Sequence, residues 1–292
     1  MNVNVAASDV LKRVRFLSDL GLWAALPREA DPKGWLANFE DPEDQRLAVV
    51  LLRSFIYASR EIVDHLVLSA IQNVYTLLEN PDPVKWEKFL DGVLLTYPTR
   101  DQLDVAASGH LFLRLARDEA GFREDQLVDP RDLVERVLSF DEPRTVLFID
   151  DIAASGSQFI DTLLRRSSAE STSIADLVSA GRIARAYYAP AIATSYALRQ
   201  IRELTPVWNV KAAHLLTGEY SASDPLTRLV RPEMRSSLDP FLRKYADRAG
   251  YSSEEPYGYH RLGLAIAFEH KIPDSTLPIF RSSHKDWNPL FR

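Results

Sequence analysis

Along the first ninety residues the apolar positions recur at helical spacing. Val10, Leu11, Val14 and Leu17 form one stripe, with Ser8 placed to cap it and Gly21 to end it. Asp41-Pro42 reads as a cap followed by a proline start and leads into LAVVLLRSFIY. Ile62, Leu66, Ala70, Val74 and Leu77 form a further stripe, with Val63, Val67 and Ile71 beside it, wide enough to be buried against another layer. The prolines of NPDPVKW, residues 80–86, then mark a boundary. Beyond it the texture changes to short apolar runs separated by helical patterns. Strands are expected at 93–97, 146–150, 184–189, 210–216 and 264–268, and helices at 111–120, 158–166, 195–204 and 238–249. Such alternation predicts an α/β fold, a mostly parallel sheet with helices on both faces. The expected organisation is an N-terminal helical region, 1–90, followed by a sheet domain, 91–292.

Composition narrows the picture. The 292 residues are 46% apolar and 10% aromatic, enough to build a sizeable core. With no cysteine, disulfides, thiolate metal sites and cysteine nucleophiles are excluded. The net charge of −6 gives no overall footprint for nucleic acid. Residues 199–248 carry nine Lys/Arg against six Asp/Glu, a weak basic bias that reads as a solvated helix surface. No basic-then-apolar leader opens the chain, and no apolar run reaches the length of about 18 residues that a membrane helix needs. The expectation is a soluble, cytoplasmic protein with no membrane partner. The six histidines, His65, His110, His214, His260, His270 and His284, lack metal-ligand spacing.

The chemistry concentrates in TVLFIDDIAASGSQ, residues 145–158, where an apolar strand runs into Asp150 and Asp151 and then into small residues before a helix. In a parallel sheet, ligands bind at the carboxyl ends of the strands. A loop of small residues lets backbone N–H groups converge, and a helix N-terminus adds partial positive charge, so the stretch reads as a phosphate cradle. The hydroxyls of Ser155 and Ser157 add donors. No lysine follows the glycine as in a Walker A loop, and no GxGxxG turn is present. Two carboxylates beside a phosphate need their own ligand, for which ribose hydroxyls and a divalent cation are the natural candidates.

This stretch resembles the phosphoribosyl pyrophosphate motif of type I phosphoribosyltransferases. The resemblance implies that Asp150 and Asp151 hold the ribose hydroxyls and Mg²⁺, directly or through water, in a catalytic role. It implies that Ala153, Ala154, Ser155, Gly156 and Ser157 bind the 5′-phosphate. VLLTYP, followed by Ala107, Ser108, Gly109 and His110 and a helix, resembles the family's first strand and pyrophosphate loop. The strand LGLAIAF and the residues after it resemble the family's base-contacting end, which makes Tyr259, Phe268 and His270 candidate base contacts. Ser155 stands where threonine is usual, residues 122–144 replace a long closing loop with a short partly helical one, and the suspected pyrophosphate loop has no lysine.

The N-terminal GLW and DPKGWLANF, with the ending IPDSTLPIF and DWNPLF, resemble the phosphoribosyltransferase-like proteins associated with bacterial conflict systems, retron-type anti-phage loci among them. That resemblance implies an effector working with phosphoribosyl pyrophosphate or a nucleotide at the ribose C1′, with Mg²⁺ as cofactor. It also implies defence-system proteins or nucleoproteins as partners and leaves homo-oligomerisation open. The competing expectation is a non-catalytic nucleotide sensor or scaffold subunit that has kept the pocket.

Overall fold

The computed structural model describes residue 12 and residues 30–99, 108–167 and 171–291, with the backbone alone at Ser108. The expected first helix, with Ser8, the Val10–Leu17 stripe and Gly21, lies outside the described residues, as does most of the loop before Ser108. Contacts divide the chain into two compact units, one of residues 1–62 with 217–292 and the other of residues 63–216. This division differs from the boundary expected near residue 90. Among the described residues no helix is long and apolar enough to cross a membrane.

Seven strands are present: β1 (Ile56–Ala58), β2 (Val93–Thr96), β3 (Arg144–Ala153), β4 (Ile183–Thr194), β5 (Trp208–Val210), β6 (His214–Leu216) and β7 (Ile266–Phe268). In the unit of residues 63–216, parallel pairing gives the order β2-β3-β4-β5, and β6 pairs with β4 farther along its length. β3 is buried from Val146 onward, as expected of a central strand covered on both faces. Side chains alternate across a strand, and the aromatic contacts show both covers. Tyr188 stacks on Phe159 of the helix Ser157–Leu164, with ring centroids 4.1 Å apart, while its neighbour Tyr187 meets Phe89 of the helix Pro83–Gly92 at 5.4 Å. The fold is therefore α/β, a parallel sheet flanked by helices.

Two expectations change here. The run 210–216 is two strands, not one: between β5 and β6 the chain bonds β4 only through Lys211 N–H to Tyr188 O and Ala213 N–H to Pro190 O. Pro190 presents its carbonyl to this edge and has no N–H to offer beside it, so the ladder breaks at that point. The run 264–268 does not join the central sheet. β7 pairs in parallel with β1 in a separate two-stranded sheet. Its partner lies in the sequence first read as helix. That helix, Pro42–Arg53, stops at Ser54, and the β-branched and aromatic residues Ile56 and Tyr57 go on as strand.

The helix Arg60–Asn73 buries Val63, Val67, Ala70 and Ile71, whereas Ile62, the first residue of the expected stripe, is exposed. Three helices begin at Asp-Pro pairs. Asp31, Asp41 and Asp82 accept hydrogen bonds from the free N–H groups of Gly34, Glu43 and Lys85, each at 2.8 Å, and the following proline occupies the first helical turn, where no N–H is needed.

The unit of residues 1–62 and 217–292 is organised by aromatic rings. Trp35 stacks on Phe280 at 4.8 Å and meets Phe39 edge-on at 4.9 Å; Phe39 contacts Phe241, Tyr245 and Trp287. Trp287, near the end of the chain, is thus docked in this core. Trp35 is fully buried and donates its indole N–H to Ile279 O at 2.6 Å, so its polar atom is satisfied inside the core. We expect Trp35→Ala to cost about 3–5 kcal/mol, the usual range for emptying a buried aromatic position. Denaturant unfolding of the full chain measures it, and a loss below about 1 kcal/mol would show that this ring cluster does not hold the unit together.

Candidate functional site

Asp150 and Asp151 lie inside β3, which continues through Ile152 and Ala153, so the turn proper is shorter than the sequence implied. Both are buried, Asp150 at 9% and Asp151 at 0% relative exposure. As adjacent residues of an extended strand they project to opposite faces of the sheet. The Asp150 face is that of Tyr188, whose hydroxyl donates to Oδ2 of Asp150 at 3.0 Å. Oδ1 of Asp150 accepts the backbone N–H of Asp151 at 2.9 Å. Burial, reinforced by Asp150 and more weakly by Asp151, pushes the Tyr188 phenol well above its usual pKa, so it stays a proton donor to the carboxylate.

The chain turns at Ala154, Ser155 and Gly156 and enters the helix Ser157–Leu164. Gly156 sits at the N-cap with φ +82° and ψ −9°, a left-handed conformation that L side chains adopt at a cost. A Cβ at Gly156 would also lie 3.0 Å from Cγ1 of Ile201 and 3.4 Å from the carbonyl of Ala197, so glycine lets this turn rest on the helix Ser195–Leu204. Conformation and packing thus already require this glycine, apart from any ligand. Ser155 supplies the cap through its side chain. Its Oγ accepts the N–H of Ser157 at 3.2 Å and donates to Oγ of Ser157 at 3.1 Å. Thr194, at the end of β4, donates to the carbonyl of Ala154 at 2.6 Å and caps its own helix through the N–H of Ala197. The turn is therefore held from the strand beside it.

The suspected pyrophosphate turn lies at the end of the adjacent strand. Tyr97 follows β2, one residue beyond the Thr96↔Phe148 pair. Gly109, in the first turn of the helix Ser108–Ala120, leaves room for the Tyr97 ring, which a Cβ there would strike at 2.0 Å. His110 is exposed, shares a hydrogen bond of 2.9 Å with the Tyr97 hydroxyl and lies 3.9 Å from Asp129. Asp129 binds the Arg131 guanidinium at 2.8 and 2.9 Å, and that pairing holds its carboxyl below the usual range. Burial and Asp129 together push Tyr97 up. Gln158 and Thr162 of the helix after β3 bond Pro98 O and Thr99 O, so the chain leaving β2 is fastened to the helix leaving β3. Both turns thus belong to the carboxyl edge of one sheet.

Tyr259, Phe268 and His270 lie in the unit of residues 1–62 and 217–292. Phe268 is buried in β7, against His270 at 5.6 Å, while Tyr259 is exposed and packs on His260 at 4.3 Å. Among the described residues no group of three His, Cys, Asp or Glu side chains could cage a metal. Asp150 and Asp151 on opposite faces do not fit a single resident ion shared by both carboxylates.

Sequence reading missed Tyr188, Thr194, Tyr97 and the Asp129–Arg131 pair. Thr194 had a legible signal, as a hydroxyl residue just before a helical pattern. Tyr188 had none without the register of β3 on β4, which sets it beside Asp150.

Two outcomes follow for this site. Gly156→Ala should destabilise the chain by about 1–3 kcal/mol, from the left-handed backbone and the Ile201 contact together; an unchanged unfolding midpoint would contradict the packing account. Tyr188 stays neutral in the folded chain and ionises near its usual value of about 10 on unfolding. Its contribution is therefore full below pH 10 and is lost above it, at about 1.4 kcal/mol per pH unit, up to the folded pKa. Stability measured from pH 9 to 11 should fall more steeply for the wild type than for Tyr188→Phe, and parallel curves would contradict the assignment.

Comparison with curated proteins and with solved structures gives no match. The family model PRTase-CE matches residues 32–292, which include both turns, the acidic pair and the aromatic core of the other unit. The chain is phosphoribosyltransferase-like and belongs to the PRTase-CE family.

Proposed function

We propose that the chain binds a ribose 5-phosphate ligand, phosphoribosyl pyrophosphate or a nucleotide, at the carboxyl edge of β2 and β3, and acts at the ribose C1′. The observation that carries this reading is the turn at Gly156, which begins an amphipathic helix directly after two buried carboxylates. The 5′-phosphate would take the N–H groups of the first helical turn with the Ser155 and Ser157 hydroxyls. Asp150 would accept a ribose hydroxyl, oriented for it by the Tyr188 hydroxyl. The turn at Gly109 and His110, braced on Tyr97, would receive the pyrophosphate end. Mg²⁺ bound to those phosphates would neutralise charge as the C1′–oxygen bond breaks and pyrophosphate leaves with the electron pair. The protein's own share is to hold the sugar for an acceptor and keep water from C1′.

The defence setting, with an effector role and with protein or nucleoprotein partners, enters this proposal through the resemblance of the aromatic N-terminal and C-terminal segments. A second reading, a nucleotide-sensing or scaffold subunit without catalysis, is favoured by one observation. Both oxygens of Asp150 already accept hydrogen bonds inside the protein, as in a site built to hold a ligand rather than to move protons.

Isothermal titration with phosphoribosyl pyrophosphate, with and without Mg²⁺, tests the proposal. We expect saturable binding in Mg²⁺, weakened at least about tenfold by Asp150→Asn, the loss of one charge-assisted hydrogen bond. The melting temperature should be retained, because the amide can keep its oxygen on the Asp151 N–H and donate its NH2 to the Tyr188 hydroxyl, which also accepts. Absence of binding to the wild type, or equal affinity in the variant, would contradict it.

A further inference from the structure

The unit of residues 1–62 and 217–292 contains a pocket of about 420 Å³ between the end of the helix Pro42–Arg53 and the segment 228–235. Four arginines line it: Arg53, Arg228, Arg231 and Arg235. In a chain of net charge −6 this is a local concentration of positive charge that composition does not predict. Only one carboxylate pairs with the four among the described residues, Glu219 with Arg228. Arg235 gives its guanidinium to the carbonyls of Thr227 and Leu226, at 3.0 and 3.1 Å. The side chains of Arg53 and Arg231 have no hydrogen-bond or ion-pair partner among the described residues. The scaffold beneath them is fixed: the Ser54 hydroxyl donates to Leu229 O at 2.9 Å, tying the loop to the helix end.

The placement of these charges runs against helix electrostatics. Arg235 opens the helix Arg235–Arg248, whose first turn contains no acidic residue, and Arg231 caps the short turn Pro232–Met234 that leads into it, where Glu233 is the one acidic residue. A helix N-terminus carries partial positive charge and favours anions, so cations gathered there repel both the helix and one another. Arg53, at the C-terminal end of its own helix, is well placed for its dipole, yet it points a further charge into the same pocket. An anion in the pocket resolves the conflict, drawing on guanidinium forks and the helix end together. All four cations are arginine rather than lysine, the choice that suits the planar, two-point recognition of phosphate oxygens. The volume falls within the range of about 300–1,000 Å³ typical of small-ligand sites.

We infer that this pocket is a binding site for a small oligophosphate, either inorganic or the phosphate tail of a nucleotide, separate from the ribose 5-phosphate site proposed above. Four guanidiniums less the Glu219 carboxylate leave a charge that matches a di- or triphosphate better than a single phosphate.

The test is calorimetric titration of the full chain with tripolyphosphate in Mg²⁺-free buffer at physiological ionic strength. Wild type, Arg53→Ala/Arg231→Ala and Asp150→Asn are compared, with melting temperatures recorded for each. Saturable binding is expected in the wild type and in Asp150→Asn, and at least about a tenfold loss in the double arginine variant, since charge-assisted hydrogen bonds to each guanidinium are worth about a decade in affinity. Neither arginine side chain makes an internal bond, so the variant should melt as the wild type does. A nucleoside triphosphate that competes with tripolyphosphate would identify a nucleotide tail as a source of the anion. No saturable binding, equal affinity in the arginine variant, or loss in Asp150→Asn alone would overturn the inference. So would capture of a single-stranded oligonucleotide that tripolyphosphate does not displace, because the pocket would then be part of a nucleic-acid surface.

Discussion

Parallel register between β3 and β4 sets Asp150 opposite Pro190 and Phe148 opposite Tyr188. From that one alignment the Tyr188 hydroxyl reaches Asp150, and farther along Thr194 reaches the carbonyl of Ala154. Both contacts join the acidic strand and its turn to the neighbouring strand, so the site is as rigid as the sheet. A slip of one residue would exchange the faces of β3, bringing Asp151 to the Tyr188 side and carrying Phe148 away from Phe159. The apolar run Val146–Ile149, buried throughout, makes such a slip expensive.

The same ladder explains where the sheet ends. Pro190 withholds an N–H from the edge that β5 and β6 follow, and the edge strand divides there. On the other side of β3, the chain beyond β2 is held by Gln158, Thr162 and Arg165 through Pro98 and Thr99. The turn at Gly156 and the chain leaving β2 at Pro98 and Thr99 are thus bound to a common helix, Ser157–Leu164. Burial of Phe159, Ile160 and Leu163 holds that helix on the sheet.

Much of this was legible in the sequence because it rests on local chemistry. Apolar runs gave β2, β3 and β4 within a few residues, and the Asp41-Pro42 pair marked the helix start at Pro42, where cap and proline act within one turn, whereas the like pair at Asp82 was read only as a boundary. The acidic pair and the glycine turn could be read for the same reason. What could not be read depends on partners distant in the chain. β1 is three residues of strand that exist only because β7 offers a ladder, and β7 took the place expected for a strand of the central sheet. Tyr188 acquires its role only from register. The arginine pocket draws Arg53 and Arg231 together from positions 178 residues apart, so the basic bias of 199–248 looked like an ordinary solvated surface.

The central claim is that the carboxyl edge of β2 and β3 receives a ribose 5-phosphate. Amide hydrogen exchange, with and without phosphoribosyl pyrophosphate and Mg²⁺, tests it most directly because it reports on the backbone N–H groups assigned to the phosphate. The account predicts slowed exchange in peptides covering Asp150–Leu164 and in those reaching Gly109 and His110. Full occupancy by ligand with unchanged exchange in both segments would contradict it.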